Sequence, residues 1–376
     1  MNRPVLTIDL GAIASNWRAL DAMSGAAVAT GAAVKADGYG LGADVVARTL
    51  AQAGCETFFV ATAVEAAALR DTLSGENLGG EKLGGDTRRG DFTIYVLNGA
   101  TEGLEAMAWA KARPVLNARS DVEAALAFAR RSGAPLPCAL QIETGMNRLG
   151  MSPTEIAWLA ETDLSPLKVE LVMSHLACAD DPEHGLNAEQ KARFDAALPA
   201  LLARFPEALT SLSATGGILL GRGYHYQMTR PGIGLYGASP FLDAQPVVTL
   251  EAPILRVWEI EAGETSGYGA SFTAELPTRL ATIPVGYADG VPRTLSSKGE
   301  ARIGDVRVPF AGRVSMDLIV LDVTDAPAAV AGATVVLLDQ AFTPDQMATK
   351  AGTIGYEILT SLGDRYIRRY KPFVTS

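Results

Sequence analysis

Short apolar runs alternate with alanine-rich helical stretches from the amino terminus to about residue 240, and this alternation narrows the possible folds more than any other feature. Eight candidate strands lie near residues 32–35, 58–61, 93–97, 114–117, 139–143, 169–174, 211–214 and 232–236. Strands separated by helices imply βα units around a parallel sheet. Eight of them in about 240 residues fit a closed (β/α)8 barrel better than an open doubly wound sheet, whose ligand signature includes a glycine-rich first turn. After residue 245 the texture changes to β-branched runs broken by prolines, such as residues 279–285 and 318–323. The expectation is an α/β chain: residues 1–240 as a TIM-like barrel and residues 241–376 as a mostly β domain. Thr343-Pro344-Asp345-Gln346 has the form of a helix start, and a second helical stretch carries Tyr356. The glycine- and charge-rich stretch 74–91 reads as a solvated insertion with no catalytic role.

The first strand ends on one lysine and then breaks: Ala33-Val34-Lys35-Ala36-Asp37-Gly38-Tyr39-Gly40. Burial at a strand end disfavours the ammonium form, so Lys35 suits Schiff-base chemistry with an aldehyde cofactor. The same lysine could instead hold a phosphate or carboxylate as a point charge. Barrel geometry places partners at the carboxyl ends of other strands. Suitable groups stand there: Gly145-Met146-Asn147-Arg148 after the fifth, Ser174-His175 at the sixth, Ala214-Thr215-Gly216-Gly217 after the seventh, and Arg230-Pro231-Gly232-Ile233-Gly234 at the eighth. Together these could hold an anionic cofactor and substrate. Singly, His175 reads equally as a core histidine, and Arg148 and Arg230 as structural ion pairs.

Other classes fit poorly. A formal net charge of -10, from 32 basic and 42 acidic residues, gives no electrostatic reason to expect nucleic acid or an anionic membrane surface as partner. Three scattered cysteines, Cys55, Cys138 and Cys178, make no disulfide framework and fit a reducing compartment, so a cytoplasmic location is expected. No apolar run approaches membrane-spanning length, and the amino terminus lacks a secretory pattern. His175, Cys178, Asp180, Asp181 and His184 match no compact zinc spacing, so no metal is expected.

The ordered motifs resemble the alanine racemase family, pyridoxal-phosphate enzymes built from a barrel and a β domain. The similarity spans nearly the whole chain. It rests on Val34-Lys35-Ala36-Asp37-Gly38-Tyr39-Gly40, Thr144-Gly145-Met146-Asn147-Arg148-Leu149-Gly150 and Arg230-Pro231-Gly232-Ile233. In the second domain it rests on Gly267-Tyr268-Gly269-Ala270, Gly286-Tyr287-Ala288-Asp289-Gly290, Ser315-Met316-Asp317 and Gly355-Tyr356-Glu357.

The resemblance implies interconversion of L- and D-alanine, supplying D-alanine as a peptidoglycan precursor or serving alanine catabolism. Lys35 would bind the cofactor and act as base on one face of Cα, with Tyr268 on the other. Tyr39, Thr215, Tyr356 and the amides near Gly232 and Ile233 would hold the cofactor phosphate, with His175 and Arg230 also at the cofactor. Arg230 would face the pyridine nitrogen and keep it unprotonated, limiting transamination. Arg148 and the Met316 amide would hold the substrate carboxylate, with Asp317 in support, and Tyr287, Arg293, Asp180 and Ile354 would line the access path. Tyr268 and Met316 would come from a second subunit, making the enzyme a homodimer. Bringing a tyrosine from about 10 to about 7 needs roughly 4 kcal/mol at ~1.36 per unit, for which His175 and Arg230 are the candidate cations.

Two positions depart from the family pattern. Gln141 stands where many members carry a carbamylated lysine, and Ala214-Thr215 replaces an asparagine-serine pair. The alternatives are a broad-specificity, serine or lysine racemase of the same fold and, more distantly, a non-catalytic pyridoxal-phosphate-binding protein. Lyases and decarboxylases on this barrel carry a functional cysteine or a histidine-cysteine pair in the second domain, whereas this chain has no cysteine after Cys178 and no histidine after His225.

Overall fold

The computed structural model describes residues 3–74, 92–100 and 103–373. The expected solvated insertion, from residue 75 onward, lies outside them. The described residues form two compact units: Ala14–Gly38 with Gly42–Leu235, and Tyr236–Ser376 with Met1–Ile13 and Tyr39–Leu41.

In the first unit seven parallel strands follow in chain order: Ala32–Ala33, Thr57–Val60, Thr93–Val96, Arg113–Leu116, Leu136–Gln141, Leu167–Met173 and Leu209–Ser211. The helices between them, Ala63–Ser74 and Arg119–Ser132 among them, supply the crossovers that parallel pairing demands. Phe58, Phe59 and Val60 are all buried, as are Ile94, Tyr95 and Val96, which is why these strands read as unbroken apolar runs.

The eighth strand is not at 232–236. Residues Ile233–Tyr236 form a 3-10 turn, and the strand is Met228–Thr229, which pairs in parallel with Ala29–Thr30. Its other edge is tied to the seventh strand by Gln227 N–H to Thr210 O at 3.0 Å and Arg230 N–H to Ser213 O at 2.8 Å. Ala29–Thr30 and Ala32–Ala33 are one strand interrupted at Gly31, so these bonds close the barrel. A Cβ at Gly31 would lie 2.9 Å from Thr57 O, so glycine is needed where the interrupted strand passes its neighbour. Met228-Thr229 is too short to signal itself by periodicity, while the apolar Ile233, Leu235 and Tyr236 are buried without being a strand.

The second unit is mostly β, as its texture implies. A six-stranded sheet runs in the order Val306–Pro309, Glu300–Ile303, Thr334–Leu338, Val248–Pro253, Val5–Asp9, Ile367–Lys371. A three-stranded sheet joins Arg256–Ile260, Thr278–Ile283 and Ile319–Asp322. The helix Pro344–Ala351 starts where expected: Thr343 and Gln346 form a capping box behind the N1 proline.

Candidate active site

All strands of a parallel barrel end on one rim, so the residues following them converge by construction. Lys35, Thr144, His175, Thr215 and Arg230 each lie just beyond a different strand. Lys35 is partly buried, and its pKa is lowered first by that burial, then by the Arg148 charge, against an opposing pull from Glu65. A lysine so placed gives up its proton more readily and becomes nucleophilic.

The turn behind it is left-handed. After Val34, φ is 52° at Ala36, 54° at Asp37, 61° at Gly38, 56° at Tyr39 and 81° at Gly40, in a helical turn spanning Lys35–Gly40. L-residues avoid this region because Cβ crowds the carbonyl, so neighbours must hold the turn. Glu65 Oε1 accepts the Ala36 N–H at 2.8 Å, Asp37 Oδ1 accepts the Ala43 N–H at 2.8 Å, and Gly38 N–H bonds Val34 O at 2.9 Å.

Arg230 is 5% exposed and has no carboxylate partner among the described residues. Its guanidinium donates to Ser174 O at 2.7 Å and to Ser211 Oγ, with Phe59 beneath at 5.8 Å from the ring centroid. Burial pulls its pKa down to about 9, which leaves it cationic at neutral pH. A buried cation without an internal counter-ion is suited to an external acceptor or anion. His175 differs from the expectation of a cation. Burial first, then Arg230, Arg148 and Lys35, push it down to about 3, so its imidazole is neutral and cannot lower a tyrosine pKa by charge. The expectation failed because burial at the rim, and the cations crowded there, are not visible in a lone Ser-His dipeptide.

Thr215 Oγ1 accepts from the Gly232 and Gly234 N–H groups at 3.1 and 3.2 Å, folding the seventh- and eighth-strand loops onto each other. Ile233 is 1% exposed, and its N–H has no acceptor among the described residues, a donor left for a ligand oxygen. The donor set therefore fits an anion that also carries an aldehyde.

Arg148 is exposed and makes no hydrogen bond or ion pair among the described residues. Its loop is nonetheless built: Glu143 accepts from Gly145 N–H and, at 2.9 Å, from Asn147 N–H, while Gln141 Nε2 donates to Leu149 O at 3.2 Å. Gln141 thus positions the loop backbone next to Arg148 and leaves the guanidinium alone. Gln190, fully buried, donates to His175 O at 2.9 Å and to Thr144 Oγ1 at 3.3 Å and accepts from Ala177 N–H at 2.8 Å. Asp180 is exposed in the following loop, and His184 Nδ1 accepts from Leu186 N–H at 3.2 Å. Among the described residues no group of three or more His, Cys, Asp or Glu is placed to hold a metal.

In the second unit Tyr39 stacks on Tyr236, centroids 4.5 Å apart, with Tyr356 tilted against it at 6.1 Å. Burial pushes the Tyr39 pKa up to about 12, so its phenol stays a donor. Tyr268 sits on a short turn, Tyr268–Ala270, joining Thr265–Ser266 to Phe272–Thr273, and is 72% exposed. Tyr287 and Ala288 N–H bond Ser315 O and Met316 O, both at 3.0 Å, which joins two predicted segments. Asp317 accepts from Arg365 at 2.6 Å. Arg293 is exposed at the start of the 3-10 turn Arg293–Leu295, and Ile354 is exposed at the N-cap of the helix Gly355–Ser361.

Glu65, Gln190, Ser211 and Arg365 escaped the sequence reading, and Ser174 and Asp289 stood in quoted segments without a role of their own. Their work is done on backbone groups, as at Glu65 and Gln190, or on side chains distant in sequence, as at Arg365 and Asp289, which no motif spacing records. The one available signal was Thr62-Ala63-Val64-Glu65, a capping-box pattern at the end of the second strand.

The family model described as alanine racemase, N-terminal domain, matches residues 8–240, and that of the alanine racemase C-terminal domain matches residues 247–370. An alanine racemase of Dinoroseobacter shibae is 48% identical, the alignment covering 98% of this chain and 99% of that one. A catabolic alanine racemase of Agrobacterium fabrum is 46% identical over 97% of this chain and 91% of its own. The crystal structure of the Bartonella henselae alanine racemase with covalently bound pyridoxal phosphate superposes with a TM-score of 0.88 at 36% identity, covering 98% of this chain and 99% of that one.

Proposed function

The chain belongs to the alanine racemase family, and from that premise we propose that Lys35 and Tyr268 are the two proton carriers of its reaction. The enzyme is a pyridoxal-phosphate-dependent isomerase that interconverts L- and D-alanine. Bound pyridoxal phosphate supplies an aldehyde for attachment and a ring that takes up the electron pair left when the Cα proton departs.

The observation that carries the assignment is the placement of half-buried Lys35 just past a strand end, on a rim that also bears Arg148 and the buried Arg230. Inversion needs a donor and an acceptor on opposite faces of Cα, which one fixed side chain would not serve. Lys35 binds the cofactor and then moves the proton on one face. Tyr268 moves it on the other. Thr215 and the amides near Gly232 and Ile233, that of Ile233 above all, would receive the phosphate, with Tyr39 and Tyr356. Arg230, a buried cation with a pKa of about 9, would face the ring nitrogen of the bound cofactor and keep it unprotonated, which would weaken the electron sink and restrain transamination. Neutral His175 would line the cofactor site without adding charge to it. Arg148 and the Met316 amide hold the substrate carboxylate, supported by Asp317. Tyr287, Arg293, Asp180 and Ile354 line the access path.

The reading also takes the active enzyme as a homodimer in the cytoplasm. Tyr268 and Met316, 72% and 53% exposed in the single chain, are surfaces that a second subunit would use, and all three cysteines are free thiols. Among the described residues no helix is long and apolar enough to cross a membrane.

A visible spectrum with solvent-deuterium exchange into L- and D-alanine tests the assignment. A band near ~420 nm with exchange and inversion of both enantiomers supports it. Loss of the band in Lys35→Ala is expected, and its persistence would refute the role of Lys35.

A further inference from the structure

Glu65 lies outside every motif of the resemblance, on the helix Ala63–Ser74 behind the second barrel strand. Its two carboxylate oxygens do different work. Oε2 accepts from Ala61 and Thr62 N–H at 2.6 and 3.2 Å, and Thr62 Oγ1 accepts from Glu65 N–H at 3.2 Å, which completes a capping box. That accounts for helix initiation and leaves Oε1 over. Oε1 crosses to the first strand and accepts the Ala36 N–H at 2.8 Å. Ala36 follows Lys35 directly and is the first residue of the left-handed run, with φ of 52°. An alanine held there needs a partner that the left-handed turn does not itself provide.

We propose that Glu65 is the positioning residue of Lys35, its Oε1 fixing the Ala36 amide so that the left-handed turn carries the lysine amine to the rim in one orientation. The inference rests on Lys35 as the cofactor lysine. Five charged or titratable groups bear on the site. Beyond burial, which lowers the Lys35 pKa most, Arg148 lowers and Glu65 raises its affinity for a proton, Arg230 is a buried cation on the same rim, His175 is neutral, and Asp37 is engaged with the Ala43 N–H at 2.8 Å. Glu65 therefore has two effects that travel together, placement of the amine and partial retention of its charge.

Glu65→Gln separates these from helix capping. An amide offers one acceptor oxygen, and two N–H donors at Ala61 and Thr62 outweigh one at Ala36, so the variant keeps the cap and releases Ala36. Thr62→Ala does the reverse, removing the capping hydroxyl while the carboxylate stays. Both would be examined as full-length protein by binding of added pyridoxal phosphate. A second readout is the pH dependence of its attachment to Lys35, scored as borohydride-fixed label.

Glu65→Gln should bind the cofactor roughly tenfold more weakly, the fold-change expected from losing one charge-assisted hydrogen bond. Its attachment midpoint should move to lower pH, with thermal stability close to wild type. Thr62→Ala should lower thermal stability and leave the midpoint in place. Unchanged binding and midpoint in Glu65→Gln, or an equal change in Thr62→Ala, overturns the proposal. Absence of label on wild-type Lys35 would instead overturn the lysine's own assignment.

Discussion

Arg365 grips the buried carboxylate of Asp289 with two parallel hydrogen bonds, 2.6 Å from Nε and 2.7 Å from one terminal nitrogen, and gives its other terminal nitrogen to Asp317 at 2.6 Å. Asp289 also accepts the Gly286 N–H at 2.8 Å, and its carbonyl accepts the Tyr366 hydroxyl at 2.7 Å. One guanidinium thus sets the segment bearing Tyr287 and the segment bearing Met316 and Asp317 in a single frame. Asp289→Asn keeps the shape and loses the charge-assisted fork. The expected outcome is a KM for alanine raised about tenfold, because misplacement of a binding group is costly, with a lower melting temperature. An unchanged KM would separate this frame from substrate binding.

The same two segments meet at Gly286 without room for a side chain. A Cβ there would lie 2.2 Å from Met316 O and 2.4 Å from Ser315 O. Gly286→Ala must push the backbone around Met316 away, at a cost of about 1–3 kcal/mol. Thermal unfolding should show that loss, and steady-state kinetics should show a raised KM with cofactor absorbance retained.

Acid stability should depend on His175. Its folded-state pKa, about 3, lies below the ordinary value of 6.5, so the unfolded chain binds a proton that the folded chain refuses. Stability from this group is present above pH 6.5 and is lost as pH falls from there toward 3. His175→Asn should flatten part of that decline in melting temperature, measured with saturating cofactor. An identical slope in wild type and variant would show that His175 does not titrate as the site requires.

Gln141 cannot be carbamylated, and it reaches Leu149 O at 3.2 Å rather than the Arg148 guanidinium. Activity should therefore be indifferent to removing carbon dioxide and bicarbonate from the buffer. Gln141→Leu, which strips the Leu149 carbonyl of its donor, should raise KM about two- to tenfold, the worth of one hydrogen bond, with a smaller effect on kcat. A fall in kcat alone would place Gln141 in the chemistry instead of the loop.

Much of this architecture was legible because it is repetitive. Strands such as Thr57–Val60 are buried on both faces, and Thr343-Pro344-Asp345-Gln346 carries its helix start in the residues themselves. The eighth strand was misplaced because Met228-Thr229 is two residues long and pairs with the equally short Ala29–Thr30, a relationship fixed by barrel closure and not by local pattern. At the site, Lys35, Arg230 and Thr215 could be named from position after a strand. The electrical state of His175 could not, since it depends first on burial and then on Arg230, Arg148 and Lys35 arriving from three other loops. Arg365 was invisible for a similar reason, being 76 residues from the aspartate it grips.

Tyr268 is the residue on which the two-base assignment stands or falls. Its turn is shaped by Gly267 and Gly269, with φ of 76° and 70°, and by Ala270 at 48°, so the phenol is presented outward and not folded onto its own sheet. A Cβ at Gly269 would lie 3.0 Å from the Arg313 guanidinium, which places a cation against this turn where neutral His175 supplies none. Tyr268→Phe preserves the ring and removes only the proton carrier. Cofactor absorbance should be unchanged, and racemisation should fall by about 10²–10⁴, the usual contribution of one general acid–base group. Solvent deuterium should still enter Cα from the Lys35 face, so exchange survives for one enantiomer and inversion is lost for both. Near-native inversion by this variant would mean that Lys35, or a group not named here, serves both faces.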